Sequence, residues 1–137
     1  MDDFFLPMEL RTEERLATPG GNVHYERVAE EVLPRLKAED NFSYQRFECS
    51  KMELGDYVTV PGAKYYIVEG AYSCHSALGE YMSLKVFFDV GKAEQIERIR
   101  RRDGEEYLEA FINKWIPLEE RYIKSIPDIH EAFDVII

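Results

Sequence analysis

The feature that most constrains the fold is the run Tyr65–His75, YYIVEGAYSCH. Tyr65, Tyr66, Ile67 and Val68 are four consecutive bulky residues with no polar alternation, bounded by Pro61, Gly62 and Gly70. A short apolar run between turn signals predicts a strand buried on both faces, and hence a sheet flanked by helices. Glu69 stands at the carboxyl end of that strand. Ligands of open α/β sheets bind outside the carboxyl ends of the strands. A carboxylate there is placed to hold a metal ion or a water, whereas in mid-strand it would be a buried charge without a partner. Capping of the following turn is the other use open to this side chain.

Helical and extended segments alternate around this run. Residues 9–16 have the pattern of a short helix, and Pro19-Gly20-Gly21-Asn22 is a loop signal. His24 to Ala38 has helical periodicity through Val28, Val32, Leu33 and Leu36, which Pro34 must kink or divide. Phe42, Tyr44 and Phe47 alternate with polar residues as in an edge strand, and a turn around Gly55-Asp56 leads into Tyr57–Val60, forming a hairpin-like flap. Ala77–Met82 predicts a short helix and Leu84–Val90 a second buried strand. Helices are expected over 92–102 and 105–124, the second bent at Pro117, and Phe133–Ile137 reads as a last strand. Strands and helices in this order indicate βαβ units, a parallel sheet and one α/β domain.

The charge balance restricts partners. A net charge of −10 argues against general nucleic-acid or anionic-membrane binding. No apolar run approaches the ~20 residues of a membrane span, and MDDFF places acids where a signal peptide has bases. The two cysteines, Cys49 and Cys74, are too few for a disulfide framework and point to a reducing cytoplasm. With His24, His75 and His130 they form no zinc-ligand spacing. His75 reads as a helix-capping or structural residue.

Against the acidic background, Arg98, Arg100, Arg101 and Arg102 crowd into five positions. Arg98 and Arg102 are four apart and share a helix face. A guanidinium fork matches phosphate oxygens bidentately, so this helix, following a strand that borders the site, is expected to bind phosphate. The alternative is a solvated face paired with Glu94, Glu97 and Asp103. At the amino terminus, the acid pair Asp2-Asp3 beside Phe4-Phe5 suits a general base next to a wall for a flat substrate; the alternative is that both aspartates are simply solvated. The glycine loop that cradles nucleotide phosphates, G-x-x-x-x-G-K-[ST], does not occur: the Gly91-Lys92 pair is followed by Ala93, with Val86 where the first glycine belongs. Neither G-x-G-x-x-G nor G-x-S-x-G is present.

Taken together, MDDFFL, RTEERLATPGGNVHYER, YYIVEGAYSCHSALGEYMSLKVFFDV, QIERIRRRDGEEYLEAF, KWIPLEERY and FDVII resemble the uridine kinase branch of the P-loop kinases, in particular its short bacterial members. The likeness runs in order along essentially the whole chain. It implies a P-loop-kinase-like parallel sheet flanked by helices that lacks the first strand-loop-helix unit. Residues 1–137 would form a single truncated domain with a lid around 92–106, and Met1 would correspond to an internal methionine of such a kinase. The resemblance further implies ATP- and Mg²⁺-dependent phosphoryl transfer to a nucleoside 5′-hydroxyl, impaired here because the phosphate loop is missing.

By position, Asp2 resembles the aspartate that accepts the hydroxyl proton, with Asp3 the second candidate. Glu69 resembles the acid near magnesium, and Arg98 and Arg102 the lid arginines that embrace the transferring phosphoryl group. Phe5 stands where relatives often carry tyrosine. Asn22 and His24 fall where relatives contact ribose, and Phe47 is counted with the substrate-binding residues. His24 replaces an aspartate common in nucleoside-specific members, and Met52 stands near a base-contacting histidine of some, which opens the acceptor to pantothenate, a sugar or another small alcohol. A non-catalytic interaction module that kept the scaffold is the other reading. An incomplete sheet exposes apolar edges, from which an oligomer or strand-exchanged dimer is expected.

Overall fold

A computed structural model describes all residues, 1–137. It is mixed α/β, with one antiparallel and one parallel pair of strands, and divides into two compact units, Met1–Tyr81 and Met82–Ile137.

In the first unit the chain begins with a 3-10 turn, Asp2–Phe4, and then crosses the glycine loop. Phe5 and Val23 form an antiparallel bridge, with Leu6 N donating to the Asn22 carbonyl at 3.0 Å and His24 N to the Phe4 carbonyl at 2.8 Å. The bridge carries Leu6 and Val23 into the core, 1% and 2% exposed. Full burial of such side chains is worth roughly 1.5–3 kcal/mol each. The helix expected over 9–16 is instead a 3-10 turn, Met8–Leu10, followed by α1, Glu13–Ala17. Thr12 separates them because its hydroxyl caps α1, accepting from Arg15 N at 3.1 Å.

Helix α2, Tyr25–Arg27, runs on into a π-turn over Val28–Val32 and ends there, short of Ala38. Pro34 lies two residues on. Proline offers no N–H and its ring crowds the carbonyl four residues back, so the ladder widens to i→i+5 before it breaks, as in Leu33 N to Val28 O at 3.1 Å. The same device recurs in the second unit at the same distance from Pro117.

The hairpin pairs β1, Phe42–Glu48, with β2, Glu53–Val60. Phe42 and Phe47 are five apart, so strict alternation would send them to opposite faces. The register shifts between Gln45 and Phe47, and this irregularity turns both rings into the core. The turn lies at 49–52 and not at Gly55-Asp56, because the Glu48 carbonyl takes both Lys51 N and Met52 N, with Met52 at φ +58°. Gly55 stays within β2, where its carbonyl accepts from Gln45 Nε2 at 2.9 Å.

Two expected strands require correction. Tyr65–Val68 is neither paired nor buried on both faces: Tyr65 is 80% and Ile67 93% exposed, and only Tyr66 and Val68 turn inward. Tyr66 packs edge-on against Phe42, and its hydroxyl accepts from Ala63 N. No neighbouring strand satisfies this backbone, and a bulky sequence alone does not make a ladder. The helix expected over 77–82 is a 3-10 turn, Ser76–Leu78, for which His75 Nδ1 accepts from Ala77 N. The capping role expected of His75 is thus observed.

In the second unit, only Val86–Phe87 (β3) of the expected strand 84–90 enters a ladder, parallel to Val135–Ile136 (β4), and Leu84 and Phe88 remain exposed. Helix α3 spans Lys92–Asp103 and ends at Gly104, whose φ of +83° turns the chain into α4, Glu105–Ala110. A π-turn over Phe111–Trp115 and α5, Ile116–Lys124, continue it. Pro117 sits in the first turn of α5, where its missing N–H costs nothing. Ile99, Leu108 and Ile116 form the core, closed by Ile96 and Phe111, and a short α6, Ile129–Ala132, leads to β4. No helix is long and apolar enough to cross a membrane.

Candidate functional site

The first unit contains a cleft of about 270 Å³ walled by the amino-terminal turn, the π-turn that follows α2, the hairpin and the Tyr66–Glu69 segment. Its apolar wall is Phe4, Val28, Val32 and Phe42. Its polar rim carries three carboxylates, Asp2, Asp3 and Glu69. Each arrives by a different local cause. The 3-10 turn sets Asp2 and Asp3 on successive positions, and Glu69 is brought in where its carbonyl accepts the Met1 amino group at 2.7 Å. Gly70 permits that approach: its φ is +121°, and a Cβ there would stand 2.9–3.2 Å from Met1 atoms.

The two aspartates have different surroundings. Asp3 accepts from the Tyr44 hydroxyl at 2.7 Å and has Arg46 at 3.8 Å. The Asp2 carboxylate is exposed and has no hydrogen bond or ion pair, and that of Glu69 likewise has none. Tyr44 stacks at a tilt on Phe4, centroids 5.0 Å apart. Burial first, and then the bond to Asp3, push its phenol up to about 12.

A raised folded pKa means that Tyr44 contributes stability fully present below pH 10 and lost as pH rises toward 12. Tyr44 should therefore stay un-ionised in a spectrophotometric titration until near pH 12. Tyr44→Phe should remove one tyrosine's worth of absorbance change from the step near pH 12 and cost about 1 kcal/mol at neutral pH. A titration complete by pH 11 would refute the Tyr44–Asp3 contact.

Behind the cleft, the glycine loop is held by Arg15. Its guanidinium grips Glu26 at 2.6 and 3.0 Å and donates to the carbonyls of Gly21 and Val23, both at 3.0 Å. It also lies 4.1 Å over the Tyr25 ring, which stacks on His75 at 4.4 Å. The His75 Nε2 is 3.3 Å from the Pro19 carbonyl. Burial pushes the His24 and His75 imidazoles below their ordinary range. Three buried polar atoms have no partner: Asn22 Nδ2, His24 Nδ1 and Arg27 Nη1. Arg27 spends its other donors on Glu31 and the Gln45 carbonyl, while its plane covers Phe4 at 5.2 Å.

Of the residues singled out by sequence, the cleft unites Asp2, Asp3 and Glu69. Phe5, half-buried in its bridge to Val23, and Asn22 and His24, in the glycine loop, are not among the cleft walls, and Phe47 is buried in the core, 3% exposed. Arg98 and Arg102 lie on α3 in the second unit, both exposed, with Arg98 on Glu94 at 2.7 Å and Arg102 on Asp103 at 2.8 Å. Arg100 and Arg101 are paired in the same way with Glu97 and Glu105.

Sequence reasoning passes over Tyr44, Arg15 and Arg27. Tyr44 is recoverable, since it is two places from Phe42 on one strand face. The Arg15–Glu26 pair spans a loop and has no local signature. No group of three or more His, Cys, Asp or Glu side chains gathers as a metal site. Magnesium asks less than that, one or two carboxylates with substrate phosphates and waters completing its shell. No protein-family model matches the chain, and no curated protein matches it.

Proposed function

We propose that the cleft is the acceptor site of a uridine-kinase-like phosphotransferase with a P-loop-kinase-like fold, which transfers phosphoryl from ATP to a nucleoside 5′-hydroxyl. The observation that carries this reading is the division of labour between Asp2 and Asp3. Tyr44 and Arg46 occupy Asp3. Asp2 keeps free lone pairs at the rim of a cavity with an aromatic wall, which is what a base for a substrate hydroxyl requires. Catalysis in such transfers is mostly positioning and charge neutralisation. Glu69 would hold Mg²⁺, which supplies charge for the phosphate oxygens.

Arg98 and Arg102, on the second unit, are the residues proposed to bind phosphate. Their present partners do not forbid it, because exposed ion pairs are worth only about 0–1 kcal/mol and exchange readily for phosphate. With no glycine loop to cradle the nucleotide, these 137 residues are expected to turn over far below the ~1–100 s⁻¹ of kinases in a coupled phosphotransfer assay. Turnover within that range would contradict the assignment of roles.

The saturation of all four arginines by acids of their own segment favours a second reading, a non-catalytic module in which α3 is a solvated face. Nucleoside binding separates the two, since only the first requires it. Pantothenate or a sugar in place of uridine would point to another alcohol acceptor within the same reaction class.

A further inference from the structure

We propose that two copies of this chain join edge to edge through Lys64–Gly70, paired antiparallel about a two-fold axis that passes between their Ile67 residues. The backbone of Tyr65–Val68 forms no hydrogen bond within the chain. Exposure alternates from Tyr65 to Glu69 as along an extended strand, out at 65, 67 and 69, in at 66 and 68. The Glu69 carbonyl turns to the Met1 amino group. Backbone groups of the odd residues therefore face Met1, and those of Tyr66 and Val68 face the opposite, unpaired edge.

An unpaired edge with exposed apolar side chains is a template for another strand. Its own chemistry selects a second copy. A two-fold axis normal to the sheet keeps each side chain on its face, so directly opposed residues must be of equal parity. Centring the axis on Ile67 opposes Tyr66 to Val68 and places their donors and acceptors in hydrogen-bonded pairs. The two Ile67 side chains then meet in the close, non-hydrogen-bonded position, Cα atoms about 4.5 Å apart. Tyr65 opposes the partner's Glu69.

The Lys64 ammonium lies over the Tyr65 ring, 5.4 Å from its centroid. In the metal-free chain it is thereby carried to the partner's Glu69, whose carboxylate has no intramolecular partner, and symmetry repeats the pair. Centring on Tyr66 instead would oppose Lys64 to Val68 and Glu69 to Ala63, leaving both charges against apolar residues. The edge thus specifies its register as well as its partner.

The test is the solution mass of the full chain by sedimentation equilibrium. The expected result is twice the 16.1 kDa of one chain at about 100 µM. Ile67→Lys, which puts like charges face to face, is expected to give a monomer, and Ile67→Val to remain dimeric. Ile67 is 93% exposed, so neither change touches the core, which circular dichroism verifies. With Cys49 and Cys74 replaced by serine, Ile67→Cys is expected to form a disulfide dimer under mild oxidation at least tenfold faster than Tyr65→Cys. A monomeric wild type, a dimeric Ile67→Lys, or equal cross-linking at both positions would overturn the proposal.

Discussion

Replacing Gly21 with alanine should lower the melting temperature of the chain by about 15 °C. A Cβ at this position would stand 1.9 Å from the Arg15 carbonyl oxygen and 2.5 Å from Thr18 Oγ1. The first obstacle is backbone, which cannot rotate away. It is also already engaged: the Arg15 carbonyl accepts from both Thr18 N at 3.2 Å and Thr18 Oγ1 at 2.7 Å. Relief requires moving the loop by more than an ångström, and the Gly21 carbonyl that Arg15 Nε holds would move with it. Overpacking costs about 1–3 kcal/mol where side chains can yield, so about 3 kcal/mol is a lower bound here. At roughly 4–8 °C per kcal/mol for a unit of this size, the loss is readily seen by thermal circular dichroism. Gly91→Ala is the control. Nothing lies within 4 Å of a Cβ there, and the change should stay within about 0.5 kcal/mol. Equal melting temperatures for the two variants would show that the loop is not packed as described.

Arg15→Ala is expected to cost about 2–3 kcal/mol. The side chain makes two bonds to Glu26, two to carbonyls of the glycine loop and a stack on Tyr25. Hydrogen bonds that involve a charged group are worth about 1.5–3 kcal/mol, and the partners left behind lose them together. Water recovers part of this, because the Glu26 side chain is 44% exposed. Without that exposure the loss would approach the ~3–5 kcal/mol of a broken buried pair. Arg15→Lys should recover little, since an ammonium cannot meet a carboxylate bidentately and two carbonyls at once. The double variant Arg15→Ala/Glu26→Ala should be less destabilised than the sum of the singles, which urea unfolding measures. Strict additivity would mean that the two residues do not act as one unit.

How far these features are legible in the sequence depends on how local their causes are. Helix α3, the loop at Pro19–Asn22 and the edge strand at Phe42–Phe47 follow from periodicity and turn chemistry within a dozen residues, and the structure has all three. The π-turns are legible only in part: Pro34 and Pro117 announce a disturbance, but whether the ladder kinks, widens or stops depends on what packs against it. Tyr65–Val68 misleads because composition reports that a strand is possible, whereas a strand exists only where a neighbour takes up its backbone groups. Within the site, the acids at Asp2, Asp3 and Glu69 are conspicuous as residue types. That Tyr44 would occupy Asp3 and leave Asp2 free depends on a contact spanning 41 residues, which no spacing rule anticipates.

The central claim, that this cleft receives a nucleoside, is tested most directly by titrating uridine into the isotopically labelled chain and mapping amide shift changes by two-dimensional NMR. The account predicts saturable changes at Asp2, Asp3, Tyr44 and Glu69 that are lost in Tyr66→Lys, which blocks the cleft. No saturable change up to about 10 mM uridine, or changes confined to residues outside the first unit, would contradict it.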